Sequence, residues 1–356
     1  MDALLRFRRP RSLARPSPNR ARRERLASGF ALTLALLLVA ACASPSAPST
    51  VPSAASGSIG PAATATAAAS PVAAATFPLT VTDDEGTSVE IKAAPQRIVS
   101  LTPATTEILF ALGLGDRIVA KVEDPASYPA AAARIPNVAK FGSVDVEKIV
   151  GLEADLVIVG GNTFTPPEAI AQLRSLKVPT VVVYAPTIDK VFADIELTGL
   201  AAGKAQPARE LADSMRADFD LVSKAMAGQP KPKVFYEIDA TGAIYGPADK
   251  SFLAEMIRLA GGDPITTGSP DKFDIPVERL IDADPTIILL GDAAYGVSAA
   301  DVAARPGWNV ISAVRTKTIR PIDDIVVTRP GPRITSGLRS LAAAIHPDVA
   351  LPSPAP

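Results

Sequence analysis

The sequence predicts an α/β protein built from two similar lobes with mostly parallel sheets, joined by one long rigid α-helix, with a ligand cleft between them. Three observations predict it. Short apolar runs alternate with helical patterns from residue 97 onward, as they do where helices cover a parallel sheet. A strand–helix pattern at 146–159 recurs 131 residues later. Between the two sets runs one uninterrupted amphipathic stretch.

The chain opens with an address rather than a fold. Nine arginines and two acids occupy the first 30 residues, and an apolar run without charge follows from Phe30 to Ala41. That run is too short to span a bilayer and fits the core of a signal peptide, placed at 1–41. It ends in Leu38-Val39-Ala40-Ala41-Cys42, which resembles the bacterial lipobox, and Cys42 is the only cysteine among 356 residues. Cleavage before Cys42 and acylation of its thiol would anchor the chain to a membrane, several acyl chains being enough for stable attachment. Residues 43–76 hold only Ala, Ser, Pro, Thr, Gly, Val and Ile. With Cys42 they read as a disordered tether, 42–76, with a reach of about 30–35 Å.

The first lobe is expected over 77–205. Leu79–Thr82 and Ser88–Ile91 alternate around Asp83-Asp84-Glu85-Gly86 as a β-hairpin. Strands are expected at 97–101, 155–159 and 180–184, and helices at 103–113, 145–153, 166–177 and 187–202. The connecting helix is placed at 206–229. Leu211, Met215, Phe219, Val222 and Met226 step along one face, and Gly228, Pro230 and Pro232 stop it. The second lobe, 230–349, is expected to carry strands at 233–238, 286–290 and 317–322 with helices at 250–260, 275–283 and 330–345. Residues 350–356 form a tail.

Two pairs of segments in the same order argue for duplication. Val146-Glu147-Lys148-Ile149-Val150 matches Val277-Glu278-Arg279-Leu280-Ile281, each followed by a buried strand. Leu112-Gly113-Leu114-Gly115-Asp116 is similar to Leu259-Ala260-Gly261-Gly262-Asp263. Two lobes bridged by one rod leave a cleft, and ligands favour clefts at such interfaces.

Composition narrows the function classes. Past Cys42 the chain holds 27 Lys and Arg against 35 Asp and Glu, a balance of −8 with no basic run, which argues against nucleic acid as a partner. One cysteine excludes an internal disulfide and a cysteine-rich metal cluster. The single histidine, His346, follows the last expected helix, where it reads as a C-terminal residue facing the dipole. It is poorly placed as a catalytic base, and no pattern in the sequence brings two acids together. An enzyme is therefore not expected, although a tethered envelope enzyme or a ligand sensor would share the same anchor.

Arg97-Ile98-Val99-Ser100-Leu101-Thr102-Pro103-Ala104-Thr105-Thr106-Glu107-Ile108, the segment 144–159 and Arg329-Pro330-Gly331-Pro332-Arg333 resemble the ABC-importer solute-binding proteins for cobalamin, haem and ferric siderophores. The likeness runs over roughly residues 77–348 and is greatest toward the cobalamin-binding branch. It implies two three-layer lobes, limited closure, no intrinsic cofactor, and a monomer that captures a bulky metal chelate outside the cytoplasmic membrane. Its partner would be an ABC permease with its ATPase. Glu147 and Glu278 match the family's two permease-docking glutamates, one per lobe. Pro103, Ala104 and Thr105 open a helix whose first N–H groups would face the cleft. Tyr128 matches a tyrosine that packs on corrin rings. Phe141 falls where cobalamin binders often carry an aromatic and haem binders a ligating tyrosine; phenylalanine stacks but cannot ligate iron, which counts against haem. Asn162, Tyr245, Asp324 and Arg329 complete the expected ligand contacts. Arg329 and Arg333, with Lys140, are the cations a catecholate siderophore would need, and a siderophore or haem is the alternative to cobalamin.

Overall fold

The computed structural model describes residues 76–354. The expected signal peptide, the lipidation site Cys42 and all but the last residue of the tether lie outside the described residues. So do the last two residues of the tail.

The hairpin forms first, from β1 (Leu79–Thr82) and β2 (Ser88–Ile91), paired antiparallel. The first lobe follows with β3 (Ile98–Ser100), α1 (Pro103–Ala111), β4 (Ile118–Val122), β5 (Asn137–Lys140), β6 (Ser143–Val144), α2 (Val146–Gly151), β7 (Leu156–Gly160), α3 (Pro167–Ser175), β8 (Thr180–Val183) and α4 (Ile188–Ala201). The long helix α5 spans Ala205–Met226. The second lobe contains β9 (Lys233–Glu237), α6 (Phe252–Leu259), β10 (Asp263–Pro264), α7 (Val277–Ala283), β11 (Ile287–Leu290), α8 (Ala299–Ala303), α9 (Ser312–Arg315), β12 (Ile319–Pro321), α10 (Asp324–Thr328) and α11 (Ile334–Ile345).

The two sheets share one topology. The first runs β6-β5-β4-β3-β7-β8 and the second β10-β9-β11-β12. The order β4-β3-β7-β8 reappears strand for strand in the second sheet, every pairing within it parallel. The first lobe adds β5 and the antiparallel edge β6. The 131-residue repeat is therefore structural: α2 begins at Val146 and α7 at Val277, β7 at Leu156 and β11 at Ile287. The second matched pair aligns one residue differently from the sequence reading. Leu114 N–H bonds Leu109 O and Gly262 N–H bonds Ile257 O, both at 2.9 Å, each closing a helix over a left-handed glycine, Gly113 or Gly261. The shared feature is this helix stop, which pairs Gly113 with Gly261 rather than Leu112 with Leu259.

Strands β7, β8 and β11 are buried on both faces, so they read as unbroken apolar runs. Alternate residues divide between two cores. Ile98, Leu156, Ile158 and Val181 face the core that contains α1, α4 and α5, while Val99, Val157, Val159 and Val182 face α2 and α3. In the second lobe Val234, Tyr236 and Leu289 face the α5 side, while Phe235, Ile288 and Leu290 pack with Trp308 and Leu280. The α5-side core is continuous from the hairpin through Met215, Phe219 and Met226 to Leu338 of α11. The lobes are thus fastened to one rod by shared apolar packing. Leu211, expected on the buried face of α5, is only half-buried; Ala208 and Ala212 occupy that stripe.

One helix boundary shifts. The helix expected at 330–345 is α11, which starts only at Ile334, after a separate short α10. Pro330 and Pro332 exclude helical backbone just before them, and the freed segment enters the cleft. His346 caps α11, and its Nε2 lies 3.1 Å from Gly261 O, so it ties two helix ends together.

Candidate functional site

The cleft begins where β3 turns into α1. Thr102 is the N-cap: its Oγ1 accepts from Thr105 N–H at 3.0 Å, and Pro103 takes the first turn, where its missing N–H costs nothing. Thr105 Oγ1 lies 2.6 Å from Ser100 Oγ, and Thr106 Oγ1 donates to Ser100 Oγ at 2.9 Å. This hydroxyl cluster is buried. Thr105 is 1 % exposed, so its place is inside the turn, with its own N–H already used. Pro103 and Ala104 do line the cleft.

The neighbouring wall comes from the carboxyl ends of β7 and β8, beside the point where the strand order reverses, which is where open parallel sheets hold ligands. Gly160 and Gly161 permit a close approach. A Cβ on Gly160 would stand 2.8 Å from Thr102 Cγ2 and 3.0 Å from Phe164, and one on Gly161 would stand 3.0 Å from Tyr184 Cβ. Asn162 and Thr163 both adopt left-handed backbone, φ 50° and 65°, and swing Phe164 back over the strand end. Asn162 Nδ2 donates to Tyr184 OH at 3.1 Å, and Tyr184 N–H donates to Asp84 Oδ2 at 2.6 Å.

The second lobe closes the other side with Phe252 at the start of α6, Thr328 of α10 and the segment Arg329-Pro330. The hollow between these walls has a volume of about 390 Å³. It adjoins another of about 590 Å³ lined by Lys250, Phe252, Phe273, Asp324 and Thr328. Asn162, Tyr184, Ala185, Phe252 and Thr328 border both, so the two form one trough between the lobes. Concavities of about 600 and 650 Å³ beside β2 and α7 each belong to a single lobe, and none of the expected ligand contacts lines them.

Charge across the cleft is internally matched. Arg329 Nη1 donates to Glu107 Oε1 at 2.8 Å, and its Nη1 and Nη2 bond Asp124 at 3.0 and 3.1 Å. Arg333 holds the same Glu107 through Nε at 2.9 Å and Nη2 at 2.7 Å. Two arginines of the second lobe thus meet two carboxylates of the first. Hydrogen bonding to Glu107, ahead of the opposing effect of burial, raises the Arg333 guanidinium above its ordinary range. Arg333 also stacks over Tyr128, 4.2 Å from the ring centre.

The other expected residues divide. Phe141 is 81 % exposed and meets Phe164 edge-to-face, centroids 5.8 Å apart, so it extends the aromatic wall. Tyr128 is half-exposed under Arg333. Asp324 lines the trough but accepts from Tyr236 OH at 2.8 Å and Thr328 Oγ1 at 3.1 Å, and burial raises its carboxyl group. Tyr245 pairs by backbone with Asp239 and Asp274 and borders neither hollow. Glu147 and Glu278 stand exposed in the first turns of α2 and α7, at matched positions of the duplication.

Sequence reasoning missed Phe164, Tyr184, Phe252 and Asp194. Tyr184 follows directly on the end of β8 and Phe164 stands four residues past the end of β7, a usable signal once the strand order is known. The structure also brings acids together where no sequence pattern did: Asp84 and Asp194 around Lys190, and Glu237 beside Asp292. Both pairs are buried against a cation, with Arg305 gripping Glu237 through two hydrogen bonds.

Residues 98–326 match the family described as periplasmic binding protein. Over 277 residues the chain is 32 % identical to the uncharacterized ABC transporter substrate-binding lipoprotein YvrC of Bacillus subtilis, covering 76 % of this chain and 87 % of that protein. It is 27 % identical over 200 residues to the vitamin B12-binding protein of Yersinia pseudotuberculosis, covering 55 % of this chain and 70 % of that one. Among solved structures, the periplasmic heme-binding protein RhuT of Roseiflexus in its apo form superposes with a TM-score of 0.63 at 27 % identity, over 71 % of this chain and 98 % of RhuT.

Proposed function

Because the chain belongs to the periplasmic binding protein family, we propose that it is the lipid-anchored receptor of an ABC importer, capturing a corrinoid in the inter-lobe trough and delivering it to the permease. Its class is that of substrate-binding proteins of ABC import, transport components rather than enzymes.

One observation carries the choice of ligand. The trough is walled by aromatic faces, Phe164, Tyr184, Phe252 and Phe273, with Phe141 edge-on to Phe164, while its arginine is bound by two carboxylates. Aromatic walls beside an arginine that is already paired suit a large chelate that arrives with its metal already ligated. A catecholate siderophore asks for several unpaired cations; Arg329 and Arg333 are paired, which leaves Lys250 as the one other cation lining the trough among the described residues. The vitamin B12-binding relative supports the same choice. The likeness to a heme-binding protein supports haem as the second reading, against which Phe141 supplies no iron ligand.

Delivery would use Glu147 and Glu278, one carboxylate on each half of a pseudo-symmetric molecule, to address a two-fold permease through charge-steered encounter. The protein is incubated separately with cyanocobalamin, haemin and a ferric siderophore, then desalted. Retained corrinoid absorption is expected; retention of haem alone overturns the choice of ligand.

A further inference from the structure

The duplication extends past the strands that reveal it. At the spacing that relates β7 to β11, Gly160 corresponds to Gly291 and Phe164 to Tyr295. The two glycines exist for the same reason. A Cβ on Gly160 would stand 2.8 Å from Thr102 Cγ2, and one on Gly291 would stand 2.7 Å from Tyr236 Cε1 and 2.9 Å from Glu237 O. In each lobe the chain thus leaves one strand pressed against the end of its parallel neighbour, β3 or β9, before entering a helix, α3 or α8. Phe164 and Tyr295 hold one place in two copies of the same turn. That turn stands at the cleft end of both sheets. Gly160, Gly161 and Phe164 line the first hollow. In the second sheet β11 lies between β9 and β12, all parallel, and residues just past both neighbours line the trough, Ile238 after β9 and Asp324 after β12.

We infer that Tyr295 is a ligand-binding residue of the second lobe, the counterpart of Phe164: its ring packs on the part of the bound chelate that stands out of the trough. The inference rests on the corrinoid reading and deepens it. A corrinoid with its nucleotide tail is bulkier than two hollows of about 390 and 590 Å³ that share part of their lining, so some of it stands at the mouth. Tyr295 borders neither hollow and reaches only that portion. It is 83 % exposed, more than any other tyrosine of the chain, and so contributes nothing to a core. A single exposed aromatic residue is ordinary; one that repeats a cleft-wall residue at the matched place of the other lobe gives the guest aromatic contacts from both sides. Because Tyr295 stays partly wetted at the rim, its ring contributes less than a fully desolvated anchor would.

The native protein, Tyr295→Ala and Tyr295→Phe are titrated with cyanocobalamin. Tyr295→Ala is expected to weaken binding about three- to tenfold with its thermal melt unchanged, and Tyr295→Phe, which keeps the ring, to bind like the native protein. The native protein is also nitrated with tetranitromethane, with and without saturating cyanocobalamin, and its peptides are mapped by mass. Tyr295 is expected to react fastest of the tyrosines when free, and both Tyr295 and the trough residue Tyr184 to be protected when the ligand is bound. Native affinity in Tyr295→Ala, a loss in Tyr295→Phe as large as that in Tyr295→Ala, or undiminished nitration of Tyr295 while Tyr184 is protected, each overturns this inference and leaves the corrinoid reading standing. Absence of cyanocobalamin binding by the native protein overturns that reading, and the inference with it; so does binding that protects neither tyrosine, which would place the ligand outside the trough.

Discussion

Glu107 of the first lobe and Arg329 of the second meet at 2.8 Å across the cleft, the carboxylate 2 % and the guanidinium 13 % exposed. With Arg333 and Asp124 they make an ionic cluster bridging the lobes beside the inter-lobe trough. Removing one partner from such a cluster leaves a buried charge uncompensated, which is costlier than the pair itself is favourable.

Glu107→Ala is therefore expected to destabilise the protein by on the order of 3–5 kcal/mol, read as a fall in the urea midpoint. Because Arg329 retains Asp124, a loss at the lower end of that range is the expected result. A change of only a few tenths would show that the cluster is solvated in solution.

Stability should fall as pH rises. Asp194 is pushed up to about 8, by burial and then by Asp84. Asp292 is pushed up to about 6, by burial and then by the charge of Glu237. Each binds its proton more tightly folded than unfolded. Their stabilising contribution is present below the ordinary carboxylate range, near 4, and is lost as pH climbs through the folded values. Thermal denaturation across pH 5–9 checks this: Asp292→Asn should flatten the lower part of the slope and Asp194→Asn the part extending to pH 8. A slope identical in both variants contradicts the assignment.

Phe164→Ala and Tyr184→Ala should each weaken retained-ligand affinity about tenfold, since aromatic anchors dominate such contacts. Both side chains are partly exposed, at 36 % and 43 %, so their melting temperatures should change little. Titration with cyanocobalamin, paired with a thermal melt, separates the two effects.

Gly160→Ala addresses the cleft wall from the backbone side. Its Cβ would lie 2.8 Å from Thr102 Cγ2, and the overpacking is expected to cost about 1–3 kcal/mol. A neutral result in chemical denaturation would mean that the Thr102 turn can shift to make room.

The double variant Glu147→Ala, Glu278→Ala should abolish uptake in cells while ligand affinity of the purified protein stays unchanged. Uptake at the native rate would remove the docking role.

Much was legible in the chain itself. The apolar runs at 156–160 and 287–290 are buried on both faces, so their strands could be read without alternation, and the V-E-basic repeat placed α2 and α7 at equivalent positions. The long helix was readable because its periodicity continues for six turns before Gly228 and the prolines end it. Strands β4, β5, β6 and β10 were not expected: β6 and β10 hold two residues each, β5 carries Asn137 and Lys140 at its ends, and β4 includes Lys121, which is buried by its neighbours rather than by its own character.

The site was legible only in part. Local chemistry announces a helix start such as Thr102-Pro103, and the sequence therefore determined the lobes, the rod and the residues that open the first cleft helix. Whether a side chain faces a cleft or a core depends on what packs against it from distant segments. Tertiary structure alone decided that Thr105 turns inward among hydroxyls, that Arg329 is held by Glu107 from 222 residues away, and that Asp194 reaches the trough beside Lys190 and Asp84. Those outcomes are set by long-range juxtaposition, and a one-dimensional pattern carries no record of which charges will meet.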